Sequence, residues 1–91
     1  MTSPEIELTI LMPCLDEAET LEICIRKANQ FIQRSAIQGE VLIADNGSED
    51  QSQQIARNAG ARVIDVPLKG YGSALISGIR EAKGKYIIMG D

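Results

Sequence analysis

Acidic side chains follow three of the four apolar, strand-like segments of this 91-residue chain. They are Asp16 and Glu17 after the first segment, Asp45 after the second and Asp91 after the last. Ligands of open parallel sheets bind outside the carboxyl ends of the strands, where neighbouring strand ends lie side by side. Carboxylate oxygens are suitable ligands for Mg²⁺ and related cations. We therefore predict that these residues converge on one edge of a sheet, at a metal or phosphate site.

A glycine-containing loop is the second candidate site. Gly70 and Gly72 precede a segment with helical periodicity, and backbone amides at a helix N-terminus can bind phosphate. Lys69 is placed to contact a diphosphate, although an exposed loop lysine without a ligand is the commoner situation. The dinucleotide fingerprint G-x-G-x-x-G is absent from its expected place after the first strand, which residues 13–17 occupy.

The elements that position these residues follow from hydrophobic periodicity. The predicted strands are residues 7–12, 41–44, 62–66 and 86–89. The predicted helices are residues 17–34, a short segment around 55–59 that Gly60 closes, and residues 74–82. The order β-α-β-α-β-α-β predicts an α/β fold with a parallel sheet between two helical layers.

Local signals set the predicted ends of the first elements. Pro13 should end the first strand, because its ring removes an amide donor. Asp16 with Glu19, and Ser48 with Gln51, have the spacing of capping boxes. Helix capping is therefore the alternative role of Asp16 and Ser48, while Asp45 follows a buried strand directly and is the stronger ligand candidate.

Composition limits the class of protein. The chain has 44% hydrophobic residues and a net charge of −4, which predicts a single domain over residues 1–91. Its acidity and 3% aromatic content disfavour nucleic acid as a partner. Two cysteines without a secretory signal predict free thiols. Every apolar run is shorter than the ~20 residues of a membrane helix, and we expect a cytoplasmic location.

Three segments resemble, in order, the characteristic motifs of family 2 glycosyltransferases. Residues 11–17, LMPCLDE, resemble the opening P-x-[LY]-N-E, and residues 43–50, IADNGSED, resemble V-D-[DN]-G-S-x-D. Residues 70–91, from GYGSAL to YIIMGD, resemble the run that leads into a metal-binding D-x-D motif. The resemblance covers nearly the whole chain. It is greatest to the branch similar to dolichol-phosphate mannose synthase, which makes polyprenyl-phosphate sugars.

The resemblance implies the N-terminal, Rossmann-like half of a GT-A fold, which binds a UDP- or GDP-linked sugar. The residues implied to bind the nucleotide are Pro13, Leu15, Glu17, Ile43, Asp45 and Asn46. Among them, Asp45 is implied to read the base. Asp91 matches the first aspartate of D-x-D and is implied to help hold Mg²⁺ or Mn²⁺, which would neutralise charge on the departing nucleoside diphosphate.

The resemblance also suggests an inverting transferase whose acceptor is a polyprenyl phosphate. The rest of D-x-D, the acceptor half and the catalytic base are expected beyond Asp91, so residues 1–91 alone should not catalyse transfer. The full-length enzyme is expected in the cytoplasm, associated with the inner face of the membrane.

Two positions depart from the family motifs. Asp16 stands where an asparagine is usual, which puts any contact through that amide in doubt. Asn46 replaces a frequent second aspartate and lowers the local negative charge.

Two other classes remain open from the residues alone. A receiver-like regulatory domain would also place acidic residues at strand ends to bind Mg²⁺, but only part of its acidic cluster is recognisable here. A nucleotidyltransferase of similar topology would favour a basic, glycine-rich loop after the first strand, whereas residues 13–17 are acidic.

The apolar sequence of the last predicted strand indicates self-association. Residues 86–89 are aliphatic enough for a sheet interior, yet no strand follows them in this chain. An exposed strand edge presents unpaired amides and carbonyls that another chain can pair with. We therefore expect residues 1–91 to form a homodimer or higher oligomer.

Overall fold

Four parallel strands and three helices alternate along the chain in the computed structural model, which describes residues 5–90. The elements are β1 Leu8–Cys14, α1 Ala18–Ser35, β2 Gly39–Asp45, α2 Ser52–Asn58, β3 Arg62–Asp65, α3 Tyr71–Glu81 and β4 Tyr86–Met89. They form one sheet with the strand order β3-β2-β1-β4. The predicted α/β class and parallel sheet are confirmed.

Successive residues of β1 and β2 face opposite sides of the sheet, as strand geometry requires. On one side, Ile10 and Ile43 belong to a core that includes Leu21, Ile25, Ala28 and Ile32 of α1 and Ala56 of α2. On the other side, Leu11 and Leu42 pack with Ala74 of α3. The central strands are therefore covered on both faces, and their nearly continuous aliphatic sequence reflects this.

Close packing of α3 on the sheet depends on Gly78. A Cβ atom at this position would overlap the side chain of Leu11, which is fully buried on β1. The glycine therefore lets the helix backbone approach the strand closely. This packing fixes the height of the α3 N-terminus above the sheet edge.

The first strand is longer than predicted, because Pro13 lies inside β1 and pairs in register with Ala44. The Leu11 carbonyl accepts a bond from the Gly90 amide, so odd-numbered residues of β1 direct their polar groups towards β4. The ladder to β4 ends at Leu11. Within residues 5–90, the missing amide of Pro13 therefore lies beyond the ladder to β4 and interrupts no ladder bond. The prediction that Pro13 ends the strand was wrong.

Both predicted capping boxes were also wrong. The N-cap residue of α1 is Glu17 and that of α2 is Gln51, and neither helix has a bond from its N-cap side chain. The first amides of α1 are instead satisfied from the β2–α2 loop and from the first residue of α2. The Glu17 amide donates to Ser52 Oγ at 3.1 Å and the Ala18 amide donates to Asp50 Oδ2 at 3.3 Å. Sequence-local rules could not find these caps, since their partners are more than 30 residues away.

The other boundaries are close to the predictions. Gly60 has φ of +92° beyond the end of α2, as expected of a left-handed helix cap. Helix α3 begins at Tyr71, three residues before its predicted start. Strand β3 ends at Asp65, one residue before its predicted end. Within residues 5–90, no helix combines the length and the apolar character needed to cross a membrane.

Candidate functional site

A cleft of about 330 Å³ opens at the carboxyl edge of the sheet. Its first wall is the β1–α1 loop, residues 13–17, and its second wall is the start of α3 with the preceding loop, residues 69–74. The lining residues are Pro13, Cys14, Leu15, Glu17, Asn46, Lys69, Gly70, Tyr71 and Ala74. The volume lies at the lower end of the range of about 300–1,000 Å³ for small-molecule sites.

The first wall is fastened to the end of β2 through Ser48. The Asp16 amide donates to Ser48 Oγ at 2.8 Å, and this hydroxyl donates to Asp45 Oδ1 at 2.5 Å. The Ser48 amide donates to Asp45 Oδ2 at 2.9 Å. A single serine therefore connects the cleft wall to a carboxylate at the end of the central strand.

The Asp16 side chain strengthens the same attachment in the opposite direction. Its Oδ1 accepts the Glu49 amide at 2.8 Å and the Asp50 amide at 3.3 Å. Asp16 itself has φ of +49°, a left-handed conformation that Asp adopts more readily than most residues. Both bonds are accepted by Oδ1, an acceptor that an asparagine side chain also has. Asp16, which stands where asparagine is usual in the family motif, therefore keeps the acceptor at this point.

Asp45 lies beneath the cleft and has no exposed surface. Burial alone would raise the pKa of its carboxyl group, but hydrogen bonds from Gln53 and from the Ser48 hydroxyl and amide outweigh that effect and lower the pKa below its ordinary value. Gln53 Nε2 donates to Asp45 Oδ2 at 2.9 Å and to Asp65 Oδ1 at 2.5 Å. The charged form of Asp45 is thus stabilised by neutral donors.

Asn46 fastens the second wall. Its Nδ2 donates to the carbonyl oxygens of Val66 and Leu68 at 3.1 and 3.0 Å, and its Oδ1 accepts the Gly70 amide at 2.7 Å. The side chain reaches the cleft surface but is 8% exposed. The end of β2 therefore positions both walls, the first through Asp45 and Ser48 and the second through Asn46.

The cleft lining combines apolar surface with one charge of each sign. Glu17 contributes a carboxylate from the first wall and Lys69 an ammonium group from the second. Leu15 and Tyr71 are more than half exposed and give the two walls apolar surface. Such a lining suits a ligand with a flat or apolar part and a polar, anionic part.

The Cys14 thiol is poorly suited to nucleophilic chemistry. Burial raises the pKa of Cys14, and hydrogen bonding to Ser52 and Ser48 compensates only in part. A thiol with a raised pKa is protonated at neutral pH, and the protonated form is a weak nucleophile and metal ligand. Cys14 therefore contributes shape to the cleft.

The predicted site residues fall into three groups. Pro13, Leu15, Glu17 and Asn46 come together on the cleft surface. Ile43 and Asp45 do not, because Ile43 is fully buried in the α1-facing core and Asp45 lies under Ser48 and Gln53. Asp91 lies outside the described residues. Within residues 5–90, no three acidic, cysteine or histidine side chains are grouped as a metal site.

Sequence reasoning missed part of the second wall. Tyr71 and Ala74 were assigned no role, and Lys69 and Gly70 were considered only as a phosphate loop. The usable signal was the short connection after Pro67, because the loops that follow parallel strands meet at one sheet edge. The Asn46 contacts that place this loop gave no signal in the sequence.

Comparison with known proteins identifies relatives that match most of this chain. The family model described as Glycosyl transferase family 2 matches residues 9–91. The low-salt glycan biosynthesis hexosyltransferase Agl6 of Haloferax volcanii is 38% identical over 84 residues, which are 92% of this chain and 20% of that protein. The dolichyl-phosphate beta-glucosyltransferase of Homo sapiens is 29% identical over 102 residues, covering 98% of this chain and 32% of that protein.

A solved structure of a glycosyl-transferring enzyme has a similar fold. Glucosyl-3-phosphoglycerate synthase from Mycobacterium tuberculosis, crystallised with Mn²⁺, UDP and glucosyl-3-phosphoglycerate, superposes with a TM-score of 0.77 and 26% identity. The superposition covers 94% of this chain and 34% of that one. The chain thus spans about a fifth to a third of the length of these relatives. The family match favours the transferase resemblance over the receiver-like and nucleotidyltransferase alternatives.

Proposed function

Because the chain belongs to glycosyl transferase family 2, we propose that its cleft binds the nucleoside diphosphate part of a UDP- or GDP-linked sugar donor. The observation that carries the proposal is the cleft itself, which lies at the carboxyl edge of a parallel sheet between two loops fastened to β2. This is the edge at which open α/β sheets bind ligands. Glycosyl transfer from the bound donor is the activity that we propose for the whole protein.

The chemistry of the lining divides the cleft into two parts. Lys69 supplies the positive charge that a diphosphate requires, and Glu17 supplies acceptors for ribose hydroxyls or base N–H groups. Leu15 and Tyr71 offer apolar surface to the base. Pro13 adds a rigid apolar contact in the first wall.

Asp45 and Ile43 would act from below this surface. Direct reading of the base by Asp45 stays a prediction, and it requires Ser48 or Gln53 to give way, since both donate to the carboxylate. In the described conformation, Asp45 would support binding by holding Ser48 and thereby the first wall. Ile43 packs in the core under the same strand end.

A divalent cation, Mg²⁺ or Mn²⁺, is the proposed cofactor. Solved relatives were crystallised with Mn²⁺ or Mg²⁺ and UDP. When bound to the diphosphate, such a cation would neutralise charge that develops on the leaving group. The described residues do not form a metal site by themselves, so a ligand role for Asp91 stays a prediction.

A polyprenyl phosphate is the proposed acceptor class. The human relative is named for dolichyl phosphate, and an undecaprenyl-phosphate transferase of Pseudomonas fluorescens is 29% identical over 88 residues. An acceptor of this kind would place the whole protein at the cytoplasmic face of a membrane. Because residues 1–91 span a minority of each relative, we do not expect them to transfer sugar on their own.

Calorimetric titration of the 91-residue chain with UDP and with GDP tests the proposal. We expect weak binding, with Kd near 1 mM or below, and tighter binding when Mn²⁺ is present. Lys69→Ala should weaken binding by about threefold to tenfold through loss of a charge-assisted contact. Lys27→Ala is the matched control, because Lys27 is an exposed lysine that does not line the cleft. Binding of neither nucleotide at millimolar concentration would contradict the proposal.

A further inference from the structure

The Asn46 side chain is almost completely engaged with the protein. Its two amide hydrogens are donated to separate carbonyl oxygens, those of Val66 and Leu68, and its oxygen accepts the Gly70 amide. With 8% of its surface exposed, it has little capacity left for a ligand. This geometry differs from the direct nucleotide contact that the family resemblance implied.

The three bonds act on the loop that carries the only described cation of the cleft lining, Lys69. Val66 is buried, but the Leu68 side chain is 73% exposed, so apolar packing does little to hold the middle of the loop. Gly70 has φ of +124°, a conformation that only glycine adopts readily. The Asn46 bonds on both sides of Lys69 therefore determine where its backbone lies.

We propose that Asn46 is a positioning residue, which sets the second wall against the first so that the nucleotide can bind between them. The inference rests on the proposed function for its consequence, but the positioning itself is independent of any ligand. Only an amide can donate twice and accept once at this point. A carboxylate of the same shape would face two carbonyl oxygens without a hydrogen to share.

Asn46→Asp is therefore the decisive substitution, since it changes the chemistry and leaves the volume nearly unchanged. At neutral pH the variant should bind UDP or GDP about tenfold more weakly than the natural chain, as expected for buried acceptors that lose their donors. This carboxylate would face two carbonyl oxygens beside the charged Asp45, which should raise its pKa above the ordinary value of an aspartate. As the pH falls, the new carboxyl group therefore becomes protonated and regains one donor. The ratio of the two affinities should accordingly shrink between pH 7.5 and pH 5.

Other ionisable groups near position 46 are common to both chains, so the ratio of affinities removes their contribution. They are Cys14, Glu17, Lys69 and Tyr71 in the cleft lining and the neighbouring Asp45. Asn29→Asp is the matched control, because Asn29 Nδ2 donates to the Ala59 carbonyl at 3.1 Å and lies outside the cleft lining. The control variant should keep the natural affinity at both pH values.

Amide hydrogen exchange of the natural chain tests the positioning without a ligand or a substitution. The Gly70 amide, which donates to Asn46, should exchange at least about tenfold more slowly than the amide of Gly72 in the first turn of α3. In Asn46→Asp the Gly70 amide should lose this protection. Equal exchange at Gly70 and Gly72 in the natural chain would overturn the inference.

The binding results separate this inference from the proposed function. Natural affinity of Asn46→Asp at every pH, or a weakening that acid does not relieve, would overturn the positioning role. If the natural chain binds neither nucleotide, the proposed function fails, and hydrogen exchange at Gly70 still decides whether Asn46 positions the loop. If Asn46→Asp does not fold, the exchange comparison within the natural chain gives the same decision.

Discussion

At the carboxyl ends of β1 and β2, polar side chains are buried and each has a partner, whereas the β4 side of the sheet exposes apolar ones. Asp45 at the end of β2 and Ser52, which accepts the Glu17 amide, are fully buried, and no buried side-chain nitrogen or oxygen within residues 5–90 lacks a hydrogen bond. On β4, by contrast, Ile88 and Met89 remain about half exposed. The cleft is thus built from groups that this chain supplies, while β4 is an edge strand with no further strand beside it among residues 5–90.

This contrast indicates which regions should keep their structure when the 91-residue chain is studied on its own. A network of satisfied buried bonds specifies one arrangement, because each unpaired member would be strongly unfavourable. An exposed apolar strand edge specifies no arrangement and favours association. The cleft should therefore keep its shape in the 91-residue chain, and changes there should have larger effects than changes on β4.

The largest expected effect comes from Asp45→Ala. Ser48 and Gln53 would lose a buried, charged acceptor, and the first wall would lose its anchor. We expect the free energy of unfolding, measured by urea titration, to fall by about 3 kcal/mol, and nucleotide binding to disappear.

Asp65→Ala is the control for this substitution, because Asp65 shares the Gln53 contact but is exposed. It should lower stability by less than about 1 kcal/mol, in line with exposed interactions. Equal effects of the two substitutions would contradict the importance assigned to the buried carboxylate.

A smaller effect is expected on the β4 side. If the exposed edge causes the predicted self-association, Ile88→Lys should shift the population towards monomer, because a charge on an edge strand opposes strand pairing. Light scattering across a dilution series measures this shift. Ile23→Lys makes the same change at an exposed position on α1 and should leave the mass unchanged. A natural chain that is monomeric at every concentration would refute the prediction.

The smallest effect concerns pH. Burial would raise the pKa of Glu40, but hydrogen bonds from Arg62, Lys83 and Thr9 lower it below its ordinary value of 4.5, and the pKa of Asp45 lies below its ordinary 3.8. Each carboxylate therefore stabilises the fold when the pH is above its ordinary pKa. This stabilisation is lost as the pH falls through the lower pKa of the folded protein.

Urea unfolding at several pH values checks this expectation. The free energy of unfolding should change little between pH 7 and pH 5.5 through these two groups and should fall progressively below about pH 4.5. Glu40→Gln should reduce the acid-dependent loss, since it removes one of the two groups. Constant stability down to pH 3 would contradict the pKa directions.

Much of this architecture could be predicted from the sequence, because its signals are local. The apolar runs of β2 and β4 and the Gly60 cap depend on residues close in the chain, and the structure confirms them. Pro13 was misread because its effect depends on which neighbouring strand its backbone faces. That information exists only once the strand order is known.

The location of the site could also be predicted, but the contacts that shape it could not. The rule that ligands bind at strand carboxyl ends indicated the sheet edge where the cleft lies, and Glu17, which that rule singled out, is among the lining residues. Pro13, Leu15 and Asn46, which the family resemblance implied, line the cleft too, and their binding roles stay predictions. The roles of Asp16 and Ser48 as links between two loops could not be predicted, since their partners lie 32 to 34 residues away along the chain. The same holds for Asn46, whose partners lie 20 to 24 residues further on.

The central claim, that a nucleotide binds between the two walls fastened to β2, is tested most directly by mapping amide chemical shifts during titration. With UDP or GDP and Mg²⁺, the account predicts shift changes in residues 13–17, 43–46 and 69–74, and unchanged shifts at the exposed α1 face around Ile23. No change with either nucleotide at millimolar concentration, or changes concentrated away from these three segments, would contradict it.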